Sequence, residues 1–170
     1  MEIEYYTLLD ILNKNKDRIE KGDWENVYET IPHSLRGEFS DFLIDNGIDP
    51  NNLFREYVPE KAFFRSSKLT SIKLPSSIVV IEPGAFAECF NLEDANLGNG
   101  VDHICGAAFA KCQSLKHIKI PHSVNIIGDL AFQDAHFVVI EYDGSEDDWN
   151  EIEKGYGWNY QGAIEFNYMR

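Results

Sequence analysis

The sequence predicts an α+β fold: a short solenoid of 23-residue coils, preceded by a helical subdomain and followed by a cap. Three observations predict it. The dipeptide Ala-Phe recurs at 62–63, 85–86, 108–109 and 131–132, so Phe63, Phe86, Phe109 and Phe132 stand 23 residues apart. Other apolar residues keep the same register around them. Residues 1–57 lack that period and follow helical spacing instead,.

In chain order the helical part comes first. Tyr5, Leu8, Leu9 and Leu12 share one helical face,. Asp23 is placed to N-cap a second segment carrying Trp24, Val27 and Tyr28,. Leu35, Phe39, Phe42 and Leu43 fall at i, i+4, i+7 and i+8, and Asn46-Gly47 supplies a C-terminal stop,. Asp49-Pro50 opens a last short helix,. The expectation is a helical cap over residues 1–57, packed on the first repeat.

The repeats are expected over residues 58–142. Val58, Ile81, Ile104 and Ile127 each fall five residues before their phenylalanine, and Leu69, Leu92 and Leu115 fall six after it. Ile72, Ala95 and Ile118 come next, then Leu74, Leu97 and Ile120, then Ile78, Val101 and Val124. Ile72-Lys73-Leu74 and its equivalents alternate with period two, which marks strands; the residues leading to Ile81 do so less cleanly,. Pro75, Gly98 and Pro121 place a turn at one shared position,. A unit this small cannot bury its own apolar side, whereas stacked copies bury a continuous column.

The period fails after Phe132; Phe137, Ile140 and Tyr142 fit after a one-residue deletion. Residues 143–170 read as a C-terminal cap. Ser145 with Asp148 three residues on forms a capping box, so a helix should run through Ile152 with Trp149 and Ile152 on one face,. Ile164-Glu165-Phe166 alternates as a last strand. Tyr156, Trp158 and Tyr160 read as cap core with polar tips,.

The run Leu115-Lys116-His117-Ile118-Lys119-Ile120-Pro121-His122-Ser123-Val124-Asn125-Ile126-Ile127-Gly128, followed by Ala131-Phe132, resembles the BspA-like class of leucine-rich repeats. Leu69 to Phe86 match nearly as well, while the middle unit departs at Ala95, Gly98 and Asn99-Gly100. The resemblance implies a right-handed leucine-rich-repeat solenoid with a parallel sheet on one side, used as a binding surface. Relatives in that class include secreted and cell-surface adhesins.

Charge narrows the function classes. Fifteen basic and 29 acidic residues give a net charge of −14. That argues against direct binding of nucleic acid or of an anionic membrane, both of which need a basic footprint. Residues 1–55 carry −6, residues 56–140 carry −2 and residues 141–170 carry −6. Solubility explains acidic ends, and attraction of a basic protein is the sharper reading. The N-terminus opens with acids and lacks the basic start and apolar run of a signal peptide,. No window is apolar enough to span a membrane, and an odd count of three cysteines fits a reducing compartment,. A cytoplasmic monomer is expected.

Nothing in the sequence forms a catalytic constellation. Cys89 and Cys112 share a repeat position with Ser66 and Ala135, so they read as small buried packing thiols; Cys105 should be more exposed,. His33, His103, His117, His122 and His136 show no zinc spacing,. Ser71, Asp94 and His117 share a column, but flat ladder neighbours need not converge and Asp94 lies between the other two,. A hydrogen-bonded surface pair between His117 and Asp94 is the ordinary expectation. The acid-rich stretch 143–148 lacks calcium-loop spacing, and helix capping explains it better,. No cofactor is implied.

Ser71 and Lys73, Asp94 and Asn96, and His117 and Lys119 should form two outward ladders on the sheet and serve as the binding face,. Glu146, Asp147, Asp148 and Glu151 form a candidate acidic patch. The expected function is non-enzymatic protein binding. The alternative is an acidic decoy, of phage or mobile-element type, that inhibits a basic nucleic-acid-binding protein.

Overall fold

The structure, a computed structural model, describes residues 7–135, 139–158 and 164–166. Tyr5, His136, Phe137 and Tyr160 lie outside the described residues, as does the side chain of Ile164.

Four helices build the N-terminal part: α1 (Leu8–Lys14), α2 (Lys16–Glu20), α3 (Trp24–Tyr28) and α4 (Arg36–Asp45). Asp10, which interrupts the first apolar stretch, closes a capping box with Thr7. Asp23 stands at the N-cap of α3 but does not cap it; its carboxylate accepts from the Asn26 side chain instead. Phe39 and Leu43 of α4 are fully buried with Val27 and Tyr28 of α3. Helix α4 stops as expected: Gly47 takes φ +72°, and the Ile48 amide reaches back 2.9 Å to the Leu43 carbonyl,. A single 3₁₀ turn, Pro50–Asn52, stands where the last helix was expected.

Each coil then contributes two short strands. These are β1 (Tyr57–Val58), β2 (Ser71–Lys73), β3 (Val80–Ile81), β4 (Asp94–Asn96), β5 (His103–Ile104), β6 (His117–Pro121), β7 (Ile126–Ile127) and β8 (Val139–Asp143). After helix α5 (Glu146–Glu151) come β9 (Glu153–Lys154) and β10 (Ile164–Phe166). They form two parallel sheets. Sheet A runs β1-β3-β5-β7-β9, and sheet B runs β2-β4-β6-β8-β10. The expected sheet is sheet B; the weakly alternating segment before Ile81 builds sheet A, so the coil carries a ladder on a second side too.

The Ala-Phe corners line up in single file. Rings of Phe63, Phe86, Phe109 and Phe132 stack with centroids 4.8, 5.0 and 5.5 Å apart and planes within 11° of parallel. All four are fully buried. Two left-handed residues flank each corner, and they too repeat every 23 positions. One column is Lys61, Gly84, Ala107 and Leu130; the other is Arg65, Glu88, Lys111 and Asp134. The sharp double turn aims alternate amides along the stack: Lys61, Phe63 and Arg65 donate to the carbonyls of Pro83, Ala85 and Ala87. A non-glycine residue in that conformation costs about 1 kcal/mol or more. Those inter-coil bonds offset it.

Cys89 and Cys112 are fully buried free thiols, and each Sγ donates to the corner phenylalanine carbonyl of the preceding coil, Phe63 at 3.0 Å and Phe86 at 3.1 Å. Burial pushes the Cys112 thiol up to about 12 and holds Cys89 well above its usual range. Cys105 is half-buried, and burial and Glu82 raise its pKa, which opposes a reactive thiolate,.

Helix α4 closes the N-terminal end. In later coils the Pro83 and Ala85 carbonyls accept amides from the coil before. Their first-coil equivalents, Glu60 and Ala62, have no preceding coil; they accept from the Arg36 guanidinium and, at 3.2 Å, the Ser40 hydroxyl. Asp41 accepts from the Ser66 and Ser67 hydroxyls and from the Ser67 and Lys68 amides. The Phe54 ring meets Phe63 edge-on at 6.0 Å and ends the column.

The C-terminal end closes differently. The Ser145–Asp148 capping box forms, and Trp149 and Ile152 are buried. Trp149 packs edge-on against Tyr142 and Trp158. Tyr156 is not cap core: its side chain is 84% exposed. Its backbone is what the fold uses, accepting from the Leu130 amide and donating to Asp129.

Candidate functional site: the outer face of sheet B

Inward positions of sheet B, from Ile72 through Ala95, Ile118 and Ile120 to Ile140 and Tyr142, are buried. Outward positions therefore stand on a rigid apolar floor. The register brings Ser71, Asp94, His117 and Val139 into one ladder. Lys73, Asn96, Lys119, Glu141 and Glu165 form the other.

The six residues expected to share this face do share it, in two chemically distinct parts. Toward the C-terminal side the groups are engaged with one another. His117 Nδ1 lies 3.1 Å from Asp94 and Nε2 lies 3.0 Å from Glu141. Lys119 Nζ lies 3.3 Å from the other Glu141 oxygen. Asn96 turns its carbonyl oxygen back to the Gly98 amide at 3.0 Å, which supports the turn where the middle unit carries glycine in place of proline. Toward the N-terminal side Ser71 and Lys73 are exposed, and no hydrogen bond or ion pair among the described residues occupies either side chain. Both also line an open cleft of about 480 Å³ between β2 and the loop at 47–51, with Lys68 on its wall and paired to Asp45.

Three residues of this face lie outside the expected six: Val139, Glu165 and, the one that engages His117 and Lys119, Glu141. It falls 22 residues after Lys119, one short of the period, so column counting passes over it. The cleft was also illegible, since it joins residues from the head to the first strand.

The Ser71-Asp94-His117 column does not assemble catalytic machinery. The serine lies two strands from the imidazole, about 9.5 Å in a parallel ladder. Both ring nitrogens already face carboxylates. Among the described residues, no group of three His, Cys, Asp or Glu side chains is placed to hold a metal ion. No helix among them is long and apolar enough to cross a membrane.

The candidate acidic patch is split in the same way. Asp148 is occupied, accepting from the Ser145 amide and hydroxyl, and these bonds hold its carboxyl below the usual range. Glu146, Asp147 and Glu151 are exposed on the remaining faces of α5.

Comparison with known proteins agrees with this architecture. The family model described as a BspA type leucine rich repeat region (6 copies) matches residues 39–151. A search of curated proteins finds no match. A leucine-rich repeat protein from Bacteroides ovatus ATCC 8483 is 29% identical, with a TM-score of 0.52 over 67% of this chain and 28% of that one. A leucine rich cell surface protein from Faecalibacterium prausnitzii A2-165 is 32% identical, with a TM-score of 0.46 over 57% of this chain and 32% of that one. The matched part is thus about a third of the length of each of those proteins.

Proposed function

Because the chain belongs to the BspA-type leucine-rich repeat family, we propose that it is a non-enzymatic module that binds another protein through the outer face of sheet B. The observation that carries this reading is the contrast across one sheet. Every inward side chain described is buried and apolar or small, while outward ones change in charge and size from coil to coil. A solvated face has no need of that variety on so fixed a floor. Within the face, Lys73, Ser71 and the adjoining cleft are the contact region. The Asp94-His117-Glu141-Lys119 cluster acts as a preorganised neighbour, since its groups already satisfy one another. A cytoplasmic setting belongs to the same reading, supported by three unpaired thiols.

The test is quantitative capture of a partner from the native cell by the intact chain and by Lys73→Glu. Lys73 holds no ion pair among the described residues, so the variant should fold as the parent while capture falls several-fold. Undiminished capture removes this face from the proposal. The second reading, an acidic decoy, is favoured by the exposed Glu146, Asp147 and Glu151. It requires that DNA or RNA compete for the captured partner and that capture weaken steeply with salt.

A further inference from the structure

Helix α4 meets the open peptide groups of the first coil one after another, and then stops. The Glu60 and Ala62 carbonyls and the Ser67 and Lys68 amides all find partners on it. Strand β2, which follows, does not. The Asp94 amide donates to Thr70 and the Leu74 amide to Asn96, so Thr70, Ile72 and Leu74 turn their peptide groups toward β4. Alternate residues of a parallel strand bond to opposite sides. The N–H and C=O of Ser71 and Lys73 therefore face the edge of sheet B that no described strand covers. No hydrogen bond among the described residues occupies these groups.

In every later coil that place is taken. The amides of Asp94, His117 and Val139, which share a ladder with Ser71, donate to Thr70, Glu93 and Lys116 of the coil before. Ser71 and Lys73 look instead into the cleft of about 480 Å³, whose far wall is the loop at 47–51. Ile48 and Pro50 stand 23 residues before Ser71 and Lys73, and the family match begins at residue 39. This loop thus holds the sequence position of a preceding strand. Pro50 opens a 3₁₀ turn there and has no N–H to donate,. The cleft is where one strand of the stack is missing.

Its walls suit one kind of occupant. Ile44, Ile48 and Leu69 give an apolar side. Asp49, the acid on the wall, already accepts from the Asn51 amide and from the Asn51 and Asn52 side chains. Lys68 is paired with Asp45. Lys73 has no ion pair among the described residues, and opposite charges directly across a strand pair attract,. A lysine on a bare edge deters a second sheet. Here a loop also walls the far side, so the opening suits a single chain. We propose that an extended segment of the partner protein enters this cleft as a further strand of sheet B, bonding the N–H and C=O of Ser71 and Lys73 and setting an acidic side chain beside Lys73. The proposal rests on the preceding reading and names the part of the partner that is bound.

The purified full chain is titrated with acetyl-Glu-Val-Glu-Val-Glu-amide and followed by NMR and amide exchange. At about ten times its Kd the peptide should slow exchange about tenfold at Ser71 and Lys73. Ile72, already bonded to β4, should be unchanged. Lys73→Glu should bind the peptide roughly two- to fivefold more weakly. The lysine analogue should bind more weakly than the glutamate peptide, although a net charge of −14 favours basic ligands in general,. A glutamate peptide N-methylated at every residue keeps the charges but cannot donate, and should not bind. Four outcomes overturn the proposal: unprotected Ser71 and Lys73 amides, binding of the methylated peptide, tighter binding of the lysine analogue, or protection that rises with protein concentration alone, which would make a second copy the occupant. The two readings fail separately. Reduced native capture by Lys73→Glu, with both amides unprotected by the peptide, keeps the outer face and removes the strand. Protected amides with undiminished capture keep the strand and remove the outer face.

Discussion

At its N-terminal end the solenoid is closed by a helix that brings side chains to the backbone; at its C-terminal end it is closed by more backbone. Strand β9 pairs with β7 and β10 with β8, so the last coil finds partners of the same kind as every coil before it. The first coil does not. Its corner carbonyls and amides are met by Arg36, Ser40 and Asp41. Both ends bury aromatic rings, so apolar closure is common to them. What differs is who satisfies the exposed peptide groups. A backbone closure tolerates side-chain change, whereas a side-chain closure rests on a few residues at fixed distances.

Gly37 is the sharpest way to break the N-terminal closure. A Cβ there would lie 2.1 Å from the Phe64 carbonyl oxygen and 2.9 Å from the backbone of Arg65 and Ser66. None of those atoms can swing aside, since the corner is fixed by its bonds to the next coil. Gly37→Ala should therefore destabilise the docked head by about 3 kcal/mol. Amide exchange in α3 and α4 should speed up strongly, while β7 and β9 keep their protection. Loss of protection across the whole chain would show that the ends are not independent.

Asp41 tests the same closure more gently, and through pH. Burial alone would raise its pKa, but the Ser66, Ser67 and Lys68 donors outweigh that and hold it below the usual 3.8. A carboxyl with a depressed folded pKa adds stability that is complete above its unfolded value. That stability drains away as pH falls from about 3.8 through the lower folded value. Urea unfolding between pH 3 and 7 should show the head weakening at the acid end. Asp41→Asn should cost about 1–3 kcal/mol at neutral pH and flatten that acid limb. An unchanged limb in the variant would assign the acid sensitivity elsewhere.

The contrast between the ends also explains what could be read from sequence. The phenylalanine file, the inward ladder of sheet B and the Ser145 cap follow from local spacing, because each coil repeats one set of neighbours. The head has no period, so nothing in the sequence says that Asp41 meets residues 66–68 or that Phe54 meets Phe63. The left-handed columns were hidden for another reason. Only Gly84 among their eight members is a glycine, so the usual signal for that conformation is missing, and inter-coil hydrogen bonds hold lysine, arginine and leucine there instead. Glu141 escaped because the deletion before β8 shifts the column by one.

The second left-handed column offers the smallest effect and the most direct comparison with Asp41. Its side chains alternate in sign, Arg65, Glu88, Lys111, Asp134, and Glu88 lies 2.6 Å from Arg65 and 3.3 Å from Lys111. The bond from Arg65 is the main reason the Glu88 carboxyl sits below its usual range, as bonds from Ser66, Ser67 and Lys68 do for Asp41. The direction is the same, but the partners are not. Asp41 bonds backbone amides that have no other acceptor among the described residues, while Arg65 and Lys111 are 64% and 50% exposed and can turn to water. Glu88→Gln should thus cost only about 0.5 kcal/mol, and less in high salt. A loss as large as that of Asp41→Asn, unchanged by salt, would mean that alternating charge holds the coils in order, and that the solenoid body depends on side chains as much as its N-terminal end does.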